Sequence, residues 1–469
     1  MVLLHVGKLF GSKARYISTS FYDGVIVGGG MVGNAMACSL GAAKPLVKSP
    51  LFSNRTSAVT PASIKFFKME EKFCDAITKP FNLEIGVWEK FLDYRAKRVD
   101  RYEVIDSSSH STLNFSYPDA VKEVSYIIEN NVIVSHLLTH VMEKCRNVTV
   151  KTNANVVQCK SVDTNCFVII PDSLLEDVLL VMDDGTEIET SLVIGADGGN
   201  SVVRKAFSPS YTSWKYNQKG VVAVVELDCD GPNNVAWQRF SRHGPIALLP
   251  LSSRHSNLIW TTSDSHAKEL LSSTPNEFVD LLNHALHTEE YQDATTNKTL
   301  ELMDRALNVM FNIENTRIPS PPQIVRIQPD SRAAFPLVFG HSHTYVSARA
   351  ALIGDAAHRI HPLGGLGANL GWSDVRKLTA SMEKCVMDGG DLGATTYLSQ
   401  YDTDSQRHNV PQQIACDWIN RLYRTNNPAA IFFRSIGLSS TNHMQCIKVT
   451  YSPIPSASPP CTCHFFRTP

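Results

Sequence analysis

Acidic side chains are missing from the first 22 residues, and after Asp23 the next Asp or Glu is Glu70. Long apolar runs are missing too. No stretch approaches the about 20 residues that cross a bilayer as a helix, which excludes an architecture of membrane-spanning helices. There is no charge excess: 44 basic residues face 45 acidic ones, so the whole-chain charge gives no reason to expect nucleic acid. The 11 cysteines show no paired spacing. That excludes a disulfide scaffold and reads as buried thiols in a reducing compartment. Cys461-Thr462-Cys463-His464 offers too few ligands for a metal site, and none is assigned. No internal repeat is present, which removes the solenoids. With 43% hydrophobic and 19% charged residues, the chain can bury a sizeable core and is not globally disordered.

The acid-free start holds Lys8, Lys13 and Arg15 among hydroxyl residues. Basic, Ser-containing and acid-poor is the composition of a mitochondrial transit peptide, here residues 1–20, with Arg15-Tyr16-Ile17-Ser18 as a cleavage context. A disordered N-terminus with no targeting role is the competing reading.

Three glycine-rich signatures then follow in order. Tyr22 to Val27 reads as a buried strand entering Gly28-Gly29-Gly30-Met31-Val32-Gly33, with Val32, Ala35, Met36 and Leu40 on one face of the helix beyond and Gly41 as its stop. Gly28 permits the tight turn, Gly30 lets a pyrophosphate approach the backbone, and Gly33 lets helix and strand pack closely. The amides at the helix start favour a diphosphate. The second signature, Gly195-Ala196-Asp197-Gly198-Gly199-Asn200-Ser201-x-x-Arg204, follows the strand Leu192-Val193-Ile194. The third is Gly354-Asp355-Ala356-Ala357-His358, followed by His361-Pro362-Leu363-Gly364-Gly365-Leu366-Gly367-Ala368-Asn369. Asp355 can accept hydrogen bonds from ribityl hydroxyls. Pro362, Gly365 and Gly367 give a backbone that can lie flat against an isoalloxazine ring. Together the three point to FAD. The cofactor-binding set is Gly28, Gly30, Gly33, Asp197, Gly198, Gly354, Asp355, Pro362, Gly365, Gly367, Ala368 and Asn369. His358 and His361 read as structural, and no acid or base is assigned; the residues nearest the chemistry are Pro362, Gly365 and Gly367.

Elsewhere, Val148 to Cys159 and Val178 to Ile194 read as strands with a turn at Asp184-Gly185. Strand-like runs from Trp214 to Thr262 read as an antiparallel sheet. Glu277 to Leu286, Leu300 to Phe311, Ser373 to Asp388 and Thr395 to Leu422 read as helices. The fold class is α/β: a Rossmann-like FAD-binding domain, an antiparallel-sheet substrate domain and C-terminal helices. The expected divisions are residues 21–210 and 331–442 for the FAD-binding parts and C-terminal helices, 211–330 for the substrate domain, and 443–469 for a Pro/Ser-rich disordered tail.

The triple signature resembles the class A flavin-dependent aromatic hydroxylases of the para-hydroxybenzoate hydroxylase type, and among them the mitochondrial ubiquinone-biosynthesis monooxygenases. Ser53-Asn54-Arg55-Thr56-Ser57-Ala58, Gly244-Pro245-Ile246-Ala247-Leu248-Leu249-Pro250-Leu251, Arg332-Ala333-Ala334-Phe335-Pro336-Leu337 and Arg434-Ser435-Ile436-Gly437-Leu438 carry the narrower likeness, which spans roughly residues 20–442. The resemblance implies hydroxylation of a polyprenylated 4-hydroxybenzoate-type ring by dioxygen, through a C4a-hydroperoxyflavin, with Arg55 beside the flavin. It also implies electrons from a ferredoxin and its reductase, association with other ubiquinone-biosynthesis proteins, and peripheral attachment to the matrix side of the mitochondrial inner membrane. Two alternatives stay open: a catalytically silent scaffold subunit, and an NADPH-dependent soluble aromatic hydroxylase.

The pattern departs from the resemblance at three places. The second strand of the dinucleotide fold, with its ribose-binding acid about 20 residues beyond the glycines, is missing. Only Leu46-Val47 is strand-like there, between Pro45 and Pro50, so a hole beside the first strand is expected. Gly365-Leu366-Gly367 replaces Gly-Gln-Gly. The C-terminal helix expected after Thr441-Asn442 gives way to the Pro-rich tail.

Overall fold

The computed structural model describes residues 2–4, 20–38, 51–68, 85–108, 112–116, 124–144, 148–161, 177–288 and 320–425, apart from a few single positions, and isolated positions between 302 and 438. Most of the expected helix Leu300 to Phe311, the Leu40-Gly41 stop, Cys461 to His464 and the tail after Asn442 lie outside the described residues.

The cofactor-type sheet runs in the order Val346–Ser347, Ala350–Leu352, Val193–Gly195, Gly24–Val27, Val2–Leu4, Val148–Val150. Its three central strands are parallel: Gly195 stands opposite both Val27 and Leu352. They are short, apolar and buried on both faces, as a covered parallel sheet requires. The helices Met31–Cys38 and Gly367–Met387 pack against the same core, which includes Met36, Phe67, Trp372 and Tyr401.

Sequence and structure part at the missing second strand. The slot is filled: Val2–Leu4 lies antiparallel to both neighbours, with Leu3 opposite Val25 on one side and Thr149 on the other. The backbone edges of Gly24–Val27 and Val148–Val150 need partners, and a short apolar segment supplies them from the N-terminus. Part of the stretch read as a transit peptide is therefore a sheet strand in this structure. Ser20–Tyr22 is also paired, parallel to Glu187–Thr190 in a second small sheet.

The large, mainly antiparallel sheet is built on the 18-residue strand Tyr211–Asp228, which pairs with His255–Ser263, Ala333–Ser342 and Gln323–Ile327. Its alternation sends Val221, Ala223 and Val225 to the helices Asp264–Ser272 and Pro275–His287, and Val224 to a cluster with Ala58 and Ile127 on the cofactor side. The sheet draws on more of the chain than 211–330. Arg101–Asp106 and Thr112–Ser116 extend one edge, and His358–Arg359 closes the other. Arg101–Asp106 joins by a parallel pairing with Val235–Ser241.

Candidate flavin site

Because the three central strands are parallel and in register, the three glycine signatures emerge at one sheet end. The connections are direct: Ala196 N donates to the Val27 carbonyl at 2.8 Å and Ile353 N to the Gly195 carbonyl at 3.0 Å. A crevice at the carboxyl ends of parallel strands is where α/β sheets bind ligands.

Gly28 has φ +124°, and a Cβ there would lie 2.2 Å from the Ala196 carbonyl oxygen, so the first and second signatures touch through bare backbone. Asn34 fixes the turn from the helix, donating to the Gly29 carbonyl at 2.8 Å. Gly30 is open around its missing Cβ, which leaves backbone approachable for a diphosphate at the start of Met31–Cys38.

The second signature is mainly self-supporting. Oδ2 of Asp197 accepts from Val202 N at 2.7 Å, and Ser201 caps the helix Val202–Phe207 by accepting from Arg204 N at 2.9 Å. Asp197 keeps Oδ1 buried and without a partner. Gly198 sits at the turn between them. Buried Arg204 clamps signature two to signature three, donating to the carbonyls of Gly199 and Ala356, each at 2.7 Å, with its guanidinium 4.0 Å from the Tyr211 ring.

In the third signature Gly354 is buried while Asp355, the next residue, is exposed. No protein group hydrogen-bonds the Asp355 carboxylate among the described residues. Loss of solvent pushes its carboxyl above the usual range, with His358 and Arg359 opposing. An exposed acceptor without a protein donor among the described residues fits a polyol chain that brings its own donors. Gly365 closes the short turn Pro362–Gly364 in the left-handed region at φ +59°, its N donating to the Pro362 carbonyl at 3.1 Å. The helix Gly367–Met387 starts two residues on, and Gly367 and Ala368 stand in its first turn.

Asn369 works as a brace. Its Nδ2 donates to Ala58 and Gly365 carbonyls, and its Oδ1 accepts from Ser63 Oγ at 2.8 Å and Thr60 N at 3.2 Å. It thereby ties the ring loop to the Arg55 segment. Arg55 itself is exposed, with no side-chain partner among the described residues, on a loop pinned by Ser53 N donating to Glu129 at 2.6 Å and Asn54 donating to the Ser331 carbonyl at 2.6 Å.

His358 and His361 are both buried. His358 Nε2 meets Asp374 Oδ2 at 2.5 Å; Asp374 also accepts from Gly354 N at 3.1 Å and Asn409 Nδ2 at 2.9 Å. Burial opposes ionisation of Asp374, but His358 and these donors hold its carboxyl below the usual value. His361 packs edge-on against Tyr216 at 5.0 Å between centroids, and burial pushes it down to about 4. Asp374 and Asn409, unassigned from sequence, are the residues that hold signature three in place.

The residues present fit FAD at the diphosphate turn, the ribityl acceptor and the ring loop. Among the described residues the adenosine ribose has no matching carboxylate: Val2–Leu4, beside the first strand, carries no acid.

A family model for the FAD binding domain matches residues 320–417. Among solved structures, p-nitrophenol 4-monooxygenase PnpA from Pseudomonas putida shares the fold with a TM-score of 0.60 at 16% identity, covering 92% of this chain and 97% of that one. PqsL from Pseudomonas aeruginosa does so with a TM-score of 0.60 at 16% identity over 90% of this chain and 100% of that one. Fold and site together define a flavin monooxygenase of the aromatic-hydroxylase type, with FAD as its cofactor. The mitochondrial ubiquinone biosynthesis monooxygenase COQ6 of Caenorhabditis elegans is 42% identical over 453 residues, covering 92% of this chain and 95% of that protein. The Homo sapiens protein of the same name is 36% identical over 445 residues, covering 91% of each. The chain belongs to this COQ6 family.

Proposed function

We propose that this chain is a mitochondrial FAD-dependent monooxygenase of ubiquinone biosynthesis that hydroxylates the ring of a polyprenylated 4-hydroxybenzoate-type phenol. The observation that carries the reading is the convergence of Val27, Gly195 and Leu352 at one sheet end, which delivers all three signatures to one crevice. Bound flavin supplies dioxygen activation and transfer of one oxygen atom. The protein's part is placement. The turn at Gly28 to Gly33 would hold the diphosphate, and Asp355 would accept from the ribityl hydroxyls. The backbone from Pro362 to Ala368 would carry the ring, and Arg55 would supply a cation at the open side. The phenol would enter between this crevice and the large sheet, where a closed site would keep water from the reaction. A ferredoxin and its reductase as electron source, other ubiquinone-biosynthesis proteins as partners, and peripheral attachment to the matrix face of the inner membrane belong to the same reading.

The test is single-turnover hydroxylation with oxygen-18 gas and a reduced ferredoxin system, read by mass spectrometry. One labelled oxygen atom in the ring product is expected. Flavin oxidation with no labelled product rejects the assignment. A chain that remains folded and takes up no flavin favours the silent-scaffold alternative.

A further inference from the structure

The last long helix, Thr395–Arg424, is inside out over its second half. Its inner face is polar: Ser405, Asn409, Gln413, Asp417 and Asn420 are buried. Its outer face is apolar: Trp418 is 68%, Ile414 49% and Leu422 37% exposed, with Pro411 and Ala415 exposed beside them. Positions 411, 414, 415, 418 and 422 share one stripe at helical spacing.

The rotation is fixed from within. Asn409 donates to Asp374 at 2.9 Å, Gln413 to the carbonyls of Gly340 at 2.8 Å and Arg359 at 3.1 Å, and Asn420 to Gln218 at 3.1 Å. Rolling the helix to bury Trp418 would strand these groups, and an unmade buried hydrogen bond is costly. The outward stripe is thus built into the fold.

We propose that this ridge is the membrane-docking surface of the protein, seating Trp418, Ile414 and Leu422 at the headgroup–acyl boundary of an anionic bilayer. Charge complementarity argues for lipid. Across residues 405–424 there are three arginines, Arg407, Arg421 and Arg424, against one acid, Asp417. That acid is buried and paired with Arg421 at 2.7 Å, which leaves an excess of two positive charges on this segment. Arg407 and Arg421 bracket the stripe, the arrangement that lets side chains enter the interface while guanidinium groups meet phosphates. No described helix is long and apolar enough to cross a membrane, so the contact is superficial. The inner side of the same helix packs on the Pro362–Gly364 turn of the ring loop, which sets the crevice close to the bilayer. The choice of membrane also draws on the proposed lipid-tailed substrate.

The experiment is flotation of the full-length holoprotein with phosphatidylcholine vesicles, with and without cardiolipin. Ile414→Ser/Trp418→Ser is expected to weaken vesicle binding by about tenfold or more, and Arg407→Gln by about fivefold on cardiolipin vesicles alone. Brominated lipid should quench Trp emission in the wild type and not in Trp418→Phe. Flavin content and turnover of a detergent-dispersed short-chain phenol should be unchanged in every variant. Equal flotation of the double variant, no flotation of the wild type, or a dimer that the double variant dissociates overturns the surface assignment. Lost turnover with intact flotation would strike the proposed function and leave the surface standing.

Discussion

Nε2 of His358 lies 2.5 Å from Oδ2 of Asp374, and both side chains are shut away from solvent. This pair is the hub of the third signature, because the same Oδ2 accepts from Gly354 N, one residue before Asp355. Asp374→Ala leaves a buried imidazole, a backbone N–H and Asn409 without their acceptor. It should cost about 3–5 kcal/mol and should loosen flavin retention. Asp374→Asn, which keeps an acceptor, should lose less. Denaturant unfolding and flavin content after gel filtration measure the two effects separately. Because the Asp374 carboxyl is held below its usual value, its contribution is present above the ordinary carboxylate range and is lost as pH falls through the depressed value.

His361 has the opposite chemistry and the same direction. Its pKa falls from an ordinary 6.5 to about 4 because the ring is buried away from water. As pH drops below 6.5 the unfolded chain takes up a proton that the folded chain refuses. Stability should therefore fall between pH 6.5 and 4, by up to about 3 kcal/mol. His361→Leu should flatten that slope in urea titrations across this window. An unaltered slope would place the sensitivity elsewhere.

Gly28 admits no side chain. Gly28→Ala would push a Cβ into the Ala196 carbonyl, 2.2 Å away, at a φ that L residues rarely adopt. Flavin content should fall at least tenfold, with a lowered melting temperature, in spectra of the purified variant.

The N-terminal strand makes a prediction that the sequence alone would not. Leu3→Pro removes an N–H from the Val2–Leu4 strand between its two neighbours. It should lower the melting temperature by a few degrees and raise amide exchange in Gly24–Val27. An unchanged melting temperature and exchange pattern would mean that the slot needs no strand from residues 2–4.

The parts legible in the sequence are those where local chemistry and fold coincide. Gly28, Asp197 and Asp355 sit in turns whose glycines and flanking strands mark them, so their convergence could be read in advance. The brace roles were hidden. Asn369 belongs to a cofactor-type motif in the sequence, but it stands in the first turn of the helix Gly367–Met387 and its side chain spans to Ala58 and Ser63, over 300 positions away. The polar residues of Thr395–Arg424 look like a solvent face at helical spacing, and only tertiary packing shows that Asn409 and Gln413 point inward while Trp418 points out. The substitution of Val2–Leu4 for a missing strand was invisible because antiparallel insertion from a distant segment leaves no periodic signal in three residues.

The proposed function needs the three separated signatures to form one flavin pocket with Asp355 as its ribityl acceptor. The visible absorption spectrum of the FAD-reconstituted chain after gel filtration, compared with Asp355→Ala, tests it most directly. Flavin bands should stay with the wild type and be lost from the folded variant. Equal flavin content in both, or a folded wild type that retains none, would contradict it.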